Sequence, residues 1–243
     1  TTTAVNLAAC LAAAGRPTLL VDADPQANAS SAYAADRTAT TTYQLLLDPE
    51  VAAAAPQETA VDNLKIIPSS SDLYGAELEL LEMESREFRL KKALSNIEGY
   101  DFLLIDAPPS LGLLTLNVLA TCDQVIIPVQ SEYYALEGLS MLMQTIDRVQ
   151  NGINPDLEIM GIVMTMFDAR LNIAQQVDSN VREHYGDKVF QTQIQRSVRL
   201  AEAPSHGKPI ILYDFRSMGT RNYISLAEEV IRAAEKASAG SRA

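Results

Sequence analysis

The sequence predicts an α/β fold with a doubly wound, mostly parallel sheet and helices on both faces. Short apolar runs alternate with amphipathic segments along the chain, which is typical of strands joined by crossover helices. Two of the runs, residues 19–21 and 102–105, are apolar at every position and end at an aspartate. Strands of this kind are typical of a parallel sheet that is covered on both sides.

The first half of the chain contains three predicted strands. Residues 1–14 predict a helix that Gly15 ends, and residues 28–42 predict a mobile polar loop. Asp72 is expected to cap a helix whose apolar residues, beginning at Leu73, recur at helical spacing. The remaining elements of this half are helices over 43–47, 51–55 and 85–97 and strands over 18–22, 64–68 and 100–106.

The second half repeats the alternation. Helices are predicted over residues 111–120, 134–149, 172–185 and 218–237, and extended segments over 124–129, 159–167, 189–194 and 210–213. We expect a single domain over residues 1–237 and a disordered tail over 238–243.

Composition limits the classes of function. The chain has 243 residues, 47% hydrophobic content and a net charge of −12, so it can bury a sizeable core but has no general basic field for nucleic acid. Any DNA contact must therefore come from a local patch. No apolar run is long enough for a membrane span. The acidic segment 77–87 predicts a solvated helix face.

Two predicted strands end at aspartates, and we expect these ends to lie at the same edge of the sheet. Asp22 and Asp24 stand at the end of the first strand, and Asp106 ends the strand 100–106. Ligands of open parallel sheets bind beyond the carboxyl ends of the strands. Because carboxylates suit Mg²⁺ and Mg²⁺ accompanies phosphates, these residues predict a shared Mg²⁺ and phosphate site.

Several segments resemble the ParA/Soj-type partitioning ATPases, which belong to the deviant Walker A branch of P-loop NTPases. The resemblance is carried by residues 22–26, 106–110, 128–139 and 203–209, in family order along nearly the whole chain. It implies a P-loop NTPase-like fold that binds ATP and Mg²⁺. It also implies ATP hydrolysis by the full-length parent, whereas the activity of a chain that begins at Thr1 is left open.

The start of the chain, Thr1, Thr2 and Thr3, resembles the segment directly after the P-loop lysine in this family. We therefore expect an N-terminally truncated domain whose first strand and glycine loop lie upstream. The alternative is an ordinary helix N-terminus with a threonine cap.

The resemblance implies roles for individual residues. Asp24 is the expected catalytic residue that orients the attacking water, and Asp22 is expected to support the water shell of the metal. Thr1 and Asp106 are the expected Mg²⁺ ligands, with Thr2 beside Thr1 at the nucleotide. The loop that senses the γ-phosphate is expected to contain Pro108, Pro109, Ser110 and Gly112. For a single aspartate after a strand, the alternative is a helix cap.

Contacts outside the phosphate site also follow from the resemblance. Asp168, Arg170 and Pro204 are expected near the nucleotide base, although Asp168 and Arg170 are equally well explained as a surface ion pair. Glu137 is the expected contact across an ATP-dependent homodimer. A local DNA-binding patch is expected from Arg196, Arg199, Lys208, Arg216 and Arg221, and the alternative is scattered solubilising charge.

The leading hypothesis is a cytoplasmic, nucleoid-associated DNA segregation ATPase. Its ATP-bound dimer would bind DNA non-specifically, and a centromere-binding ParB-type protein would stimulate hydrolysis and release it. One alternative is a related ATPase that positions protein or membrane cargo, although the C-terminal residues lack the basic amphipathic helix that a membrane contact requires. The other is an interaction module that does not bind nucleotide.

Overall fold

The computed structural model describes the backbone of residues 1–240 and the side chains of residues 1–237. The chain divides into two compact units. The first comprises Thr1–Cys122 and Glu202–Tyr213, and the second comprises Asp123–Ala201 and the segment that begins at Asp214. The single domain expected over residues 1–237 stays a prediction.

The described residues contain seven strands and eleven α-helices, together with four 3₁₀ helices. The strands are β1 (Thr18–Asp22), β2 (Gln57–Glu58), β3 (Leu64–Ile67), β4 (Phe102–Asp106), β5 (Gln124–Gln130), β6 (Glu158–Phe167) and β7 (Val189–Gln195). The helices are α1 (Thr2–Ala13), α2 (Asn28–Ala32), α3 (Thr42–Leu47), α4 (Leu73–Leu80), α5 (Arg89–Leu94), α6 (Leu113–Thr121), α7 (Ala135–Gln150), α8 (Asn172–Tyr185), α9 (Val198–Glu202), α10 (Ile210–Tyr213) and α11 (Met218–Gly240).

The first unit is built on a four-stranded sheet with the order β2-β3-β1-β4. The central strand β1 pairs in parallel with β3 and β4, and β2 adds an antiparallel edge to β3. All five residues of β1 are buried, because helices cover both faces of the sheet. The apolar run therefore reflects a strand with no solvent-facing side, as the sequence predicts.

Alternate residues of β1 pack into two separate hydrophobic cores, one on each face of the sheet. Leu19 and Val21 pack with residues of α3, α4, α5 and α6 on one face of the sheet. Leu20 packs with α1, α2 and β3 residues on the other face. This two-sided burial of a parallel sheet confirms the predicted α/β architecture for this unit.

The second unit contains the parallel sheet β5-β6-β7. Helix α11 packs along β7, where the Glu229 carboxylate accepts hydrogen bonds from the backbone N–H groups of Gln191 and Thr192, both at 2.8 Å. Asn222 Oδ1 accepts a third bond, from Gln195 N at 3.3 Å. Side chains of α11 thus satisfy donors on the strand at the edge of this sheet.

Several element predictions need correction. The polar segment 28–42 contains the short helix α2, and residues 210–213, predicted to be extended, form α10. Helix α10 begins where the Ile210 N–H donates a 2.7 Å bond to the buried Asn6 Oδ1, a tertiary contact that local sequence does not reveal. Asp72 precedes α4 but its side chain makes no capping hydrogen bond.

The structure describes only part of the C-terminal segment. A disordered tail is predicted over residues 238–243, whereas the backbone of α11 continues to Gly240; residues 241–243 lie outside the described part of the chain. None of the helices in that described part combines the length and apolar character that crossing a membrane requires.

Candidate functional site

The candidate site lies where β1 and β4 end side by side in the first unit. Asp22 and Asp106 are partners in the register of these parallel strands, and both side chains are buried. The Ala23 N–H donates to the Asp106 carbonyl at 3.0 Å, which holds the two strand ends together. The parallel pairing therefore brings the two predicted aspartates to one edge of the sheet.

Asp22 is fully buried and holds the loop that follows it. Its Oδ2 accepts bonds from the Ser30 backbone N–H at 2.8 Å and the Ser30 hydroxyl at 2.6 Å, and its Oδ1 accepts one from Asp24 N at 3.2 Å. The pKa of Asp22 is raised from 3.8 to about 6, chiefly by burial and also by the charge of Asp106, against the lowering effect of the Ser30 hydrogen bonds.

Asp24 sits in a turn that closes over the end of β1. Asp24 Oδ1 accepts a 2.9 Å bond from Gln26 N, and its carbonyl oxygen accepts bonds from Ala27 N and from the Ser69 hydroxyl. Ala27 has a φ of 54°, a left-handed conformation that lets α2 begin directly after the turn. The Asp24 carboxylate is thus buried, held by one oxygen and placed at the sheet edge.

One carboxylate oxygen of Asp106 has no hydrogen-bond donor among the described residues. Its Oδ2 is buried without a hydrogen-bond partner, while the Thr1 backbone nitrogen lies 3.0 Å from its Oδ1. Burying a carboxylate oxygen without a donor costs folding free energy unless a cation pairs with it or a water molecule donates a hydrogen bond to it. Asp106 therefore fits a divalent cation, and its hard oxygen suits Mg²⁺.

The protein ligands for such an ion would be few. Among the described residues no group of three or more His, Cys, Asp or Glu side chains is arranged to hold a metal. Mg²⁺ commonly binds through one or two protein oxygens together with waters and phosphates, so Asp106 with Thr1 beside it fits that pattern.

The start of α1 lies at the same edge. Thr1 occupies the N-cap position but makes no side-chain capping bond, so the cap alternative for this residue is not what the structure contains. Asn6 links this turn to α10: its Nδ2 donates to the Thr2 carbonyl at 2.8 Å and its Oδ1 accepts from Ile210 N.

The predicted γ-phosphate loop comes directly after Asp106. Pro108 is buried, whereas Pro109 and Ser110 are exposed, and Gly112 is the N-cap of α6. A methyl group at Gly112 would lie 2.3 Å from Glu77 Oε1, so glycine permits the close approach of α4. The same Glu77 oxygen accepts a 3.3 Å bond from Leu114 N in the first turn of α6.

Comparison with known proteins shows the family of this chain. A family model described as an AAA domain matches residues 1–159. The chromosome partitioning protein ParA of Myxococcus xanthus is 52% identical over 235 residues, 96% of this chain and 83% of that protein. The sporulation initiation inhibitor protein Soj of Bacillus subtilis is 52% identical over 233 residues, 95% of this chain and 92% of that protein.

The chain belongs to the ParA/Soj family of chromosome-partitioning ATPases. Among solved structures, cobyrinic acid a,c-diamide synthase from Mycobacterium smegmatis with bound ADP and magnesium has a TM-score of 0.82 at 33% identity, covering 95% of this chain and 88% of that one. The cell division ATPase MinD of Pyrococcus furiosus shares the fold, with a TM-score of 0.77 at 23% identity. The predicted family, fold and ATPase activity are confirmed.

Pro204 of this ParA/Soj ATPase also belongs to the first unit. It lies in the 3₁₀ turn Ala203–His206, which Gly207 ends with a φ of 61°. A Cβ at Gly207 would meet the Ala34 Cβ at 3.1 Å, so this turn packs closely against the end of α2. The His206 ring stacks on Tyr213 with a centroid distance of 4.9 Å, which is a structural contact. The base contact expected of Pro204 stays a prediction.

Asp168 and Arg170 lie in the second unit and bind each other. The Arg170 guanidinium donates to both Asp168 oxygens, at 2.9 and 2.7 Å, and lowers the pKa of that carboxyl to about 2. The surface ion pair that the sequence allows is therefore present, and the base contact stays a prediction.

Glu137 lies in the first turn of α7 and is exposed. The preceding Tyr133 and Tyr134 are 70% and 81% exposed and meet edge to face at 5.6 Å. This exposed segment leaves Glu137 accessible, and its dimer contact stays a prediction.

The predicted basic residues are divided between the units. Lys208 belongs to the first unit, and the four arginines belong to the second. All five are exposed, and Arg199 lies 3.5 Å from the Asp214 carboxylate. A DNA-binding role for these residues stays a prediction.

Sequence reasoning missed three residues that shape the site: Ser30, Ser69 and Glu77. Ser69 comes shortly after β3, which is apolar except for Lys65, so the rule that selects Asp22 and Asp106 could have selected it. Ser30 lies in a polar segment that has no sequence pattern indicating a functional site. Glu77 belongs to the segment predicted as a solvated face, yet its carboxylate is half-buried against α6.

Proposed function

We propose that this ParA/Soj ATPase binds ATP with Mg²⁺ at the edge formed by β1 and β4, and that its ATP-bound dimer binds DNA non-specifically. The observation that carries the nucleotide site is Asp106 Oδ2, which has no hydrogen-bond partner in the described part of the chain and is buried beside Asp22 at the ends of two paired parallel strands. Hydrolysis, stimulated by a centromere-binding ParB-type protein, releases the DNA.

Asp106 and Thr1 would hold the Mg²⁺ ion in this proposal. Bound Mg²⁺ supplies positive charge that neutralises the phosphate oxygens as the γ-phosphate is transferred. Asp22 has a supporting role in this metal site. Because its oxygens accept hydrogen bonds from Ser30 and Asp24, it would hold the loop after β1 and shape the water shell of the ion.

Asp24 orients the attacking water. One of its oxygens is held by Gln26 N, and a carboxylate offers further lone pairs for a water. The γ-phosphate is sensed by the loop after Asp106, which leads to Gly112 at the start of α6. Glu77 holds this end of α6 by accepting a hydrogen bond from Leu114 N. Thr2, Pro204, Asp168 and Arg170 complete the proposed nucleotide contacts.

The DNA contacts are assigned to exposed basic side chains. Four arginines of the second unit, Arg196, Arg199, Arg216 and Arg221, together with Lys208, supply local positive charge on a protein whose net charge is −12. Contacts of this kind to phosphates give affinity without sequence preference and depend strongly on salt. Dimerisation, with Glu137 at the interface, would double the number of contacts. These contacts localise the protein to the nucleoid in the cytoplasm.

The test is equilibrium binding of the full-length protein to a non-specific duplex at two salt concentrations, with ATP, with ADP and without nucleotide. We expect binding that requires ATP and weakens with salt. Arg221→Ala should weaken binding and lower the salt dependence by about one phosphate contact. Arg232→Ala, an exposed arginine paired with Glu228 on the same helix, is the matched control.

Other outcomes would replace the proposal. ATP binding without any DNA binding would favour a relative that positions protein or membrane cargo. Failure to bind ATP would favour an interaction module. Equal effects of Arg221→Ala and Arg232→Ala would show that the basic residues act only as scattered charge.

A further inference from the structure

Three large apolar side chains of the second unit are exposed. Val198 on α9 is 73% exposed, Phe215 shortly before α11 is 67% exposed, and Met218 in the first turn of α11 is 47% exposed. Leu200 on α9 and Tyr223 on α11 are buried, so both helices pack without the exposed residues. Single exposed apolar residues are common on proteins, and they indicate a contact surface only when they lie together.

Two contacts bring the start of α11 and the turn before it against α9. The Arg199 guanidinium lies 3.5 Å from the carboxylate of Asp214, the residue before Phe215. A Cβ at Gly219 would lie 2.8 Å from Leu200 Cγ, so the first turn of α11 packs closely on α9. Each exposed residue directly adjoins one of these contacts in sequence, so the three form one surface. We call this surface the apolar patch (Val198, Phe215, Met218).

The turn that carries Phe215 is held by hydrogen bonds. Ser217 N and the Thr220 hydroxyl both donate to the Asp214 carbonyl, at 3.1 and 2.7 Å. The Ser217 hydroxyl oxygen accepts a further bond from Thr220 N at 3.2 Å, and Thr220 is fully buried. Because the turn is already ordered, inserting its exposed aromatic ring into a partner costs little conformational entropy.

Arginines surround the apolar patch. Arg199 and Arg216 are direct sequence neighbours of patch residues, and Arg221 follows Met218 by three positions on the same face of α11. Asp214 is the only acidic residue of the segment 214–221, and its carboxylate faces Arg199. The surroundings of the patch are therefore positive on a chain whose net charge is −12, which favours a partner that presents phosphates.

The arrangement favours DNA over the other common phosphate surface, an anionic membrane. Proteins that lie on a membrane use a helix with a continuous bulky apolar face. Here the most prominent apolar group is a single aromatic ring on a turn between arginines. Proteins that deform DNA insert an apolar side chain of this kind between base pairs, while basic residues hold the phosphates on either side.

We propose that Phe215 is an apolar wedge that inserts between base pairs of the bound DNA, with Val198 and Met218 packing on the sugars beside it. This inference rests on the proposed DNA binding and adds to the arginines a contact that does not depend on charge. A wedge must unstack a base step, so it favours DNA that is already poorly stacked. The protein would thus prefer deformable DNA without reading its bases.

The binding test measures the affinity of the full-length protein with ATP for a non-specific duplex at several salt concentrations. Phe215→Ala should bind about tenfold more weakly at every salt concentration and keep the same salt dependence, because the lost contact is uncharged. Phe215→Tyr should retain the affinity, because its ring can also stack. Leu78→Ala, at a position 72% exposed on α4 in the first unit, is the matched control and should bind normally.

The wedge itself is tested with two duplexes, one fully paired and one that carries mismatched base pairs at regular intervals. The unsubstituted protein should bind the mismatched duplex at least about threefold more tightly, because less stacking is lost there. Phe215→Ala should bind both duplexes equally. Equal affinities of the unsubstituted protein for the two duplexes would overturn the wedge.

Failure of this inference is distinguishable from failure of the proposed function. Equal DNA affinities of Phe215→Ala and Leu78→Ala would overturn the wedge and leave DNA binding by the arginines standing. A weaker salt dependence in Phe215→Ala would also overturn it, because the substitution would then act on charged contacts. Binding to phosphatidylglycerol vesicles that only Phe215→Ala abolishes, with unchanged DNA affinity, would assign the patch to a membrane. Absence of ATP-dependent DNA binding by the unsubstituted protein would overturn the proposed function and this inference together.

Discussion

Ser30 joins the end of β1 to the end of β3 through Asp22. The Ser30 hydroxyl donates a 2.6 Å hydrogen bond to Asp22 Oδ2 and accepts one from Ser69 N at 2.8 Å. The Ser69 hydroxyl in turn donates to the Asp24 carbonyl at 2.6 Å. These buried bonds fix the turn that carries Asp24 from two sides.

Ser30→Ala should lower the free energy of unfolding by about 1–3 kcal/mol, because it leaves the buried Ser69 N–H without an acceptor and removes one of the bonds to Asp22. The measurement is urea unfolding. Ser31→Ala is the matched control, since the exposed Ser31 hydroxyl bonds only to the carbonyl of Ala27 in the same helical turn. Equal costs for both substitutions would contradict the special role of Ser30.

Asp24→Ala should abolish most hydrolysis and retain ATP binding. A group that positions or activates the attacking water contributes roughly 10²–10⁴-fold to the rate. The measurements are turnover and ATP affinity of the full-length protein. Asp36→Ala, an exposed aspartate that accepts bonds from Thr38, is the control and should leave both unchanged. Unchanged turnover in Asp24→Ala would remove the assignment.

The titration of Asp22 should make the free energy of unfolding depend on pH. Because the folded-state pKa is about 6 and the ordinary value is 3.8, the folded protein binds a proton between these values that the unfolded chain has released. The contribution of this carboxyl to stability is therefore present at low pH and falls as pH rises through this window. The loss amounts to about 3 kcal/mol.

Comparison with Asp22→Asn isolates this effect, since an amide does not titrate. The variant loses a constant amount at every pH, because an amide nitrogen cannot accept the bonds that the carboxylate accepts. The unfolding free energy of the unsubstituted protein, relative to the variant, should decrease between pH 4 and pH 6.5 in metal-free solution. Parallel pH profiles for the two proteins would show that Asp22 titrates at its ordinary value.

Gly112 and Glu77 should behave as a coupled pair. Gly112→Ala places a methyl group against Glu77 Oε1, so Glu77 must move and release Leu114 N. In a Glu77→Ala background the same change meets no side chain. We expect Gly112→Ala to cost about 1 kcal/mol less in that background, measured as a double-mutant cycle of unfolding free energies. Additive costs would show that the contact carries no energy.

Much of the architecture follows from local patterns. The apolar centre of β1 is typical of a buried parallel strand and β1 is buried throughout, whereas β4 has the same pattern but only Asp106 is buried. Gly15 ends α1 with a φ of 80° because glycine tolerates this left-handed conformation. The helix α8 is predicted with its observed bounds, since its apolar positions recur at helical spacing. Short elements such as α2 and α10 escaped prediction, because tertiary contacts rather than propensity stabilise helices of four or five residues.

The family could be predicted from the resemblance carried by residues 22–26, 106–110, 128–139 and 203–209. The aspartates of the site could be predicted because apolar runs end at Asp22 and Asp106, and ligands of open parallel sheets bind beyond the carboxyl ends of the strands. Contacts between distant segments show which of the two aspartates can bind a cation: Ser30 and Asp24 occupy the oxygens of Asp22, whereas Asp106 Oδ2 has no partner among the described residues. Only the fold could show that Glu77 supports α6 while Leu78 faces solvent. Hydrogen bonds between segments distant in sequence make these distinctions, and local sequence does not encode them.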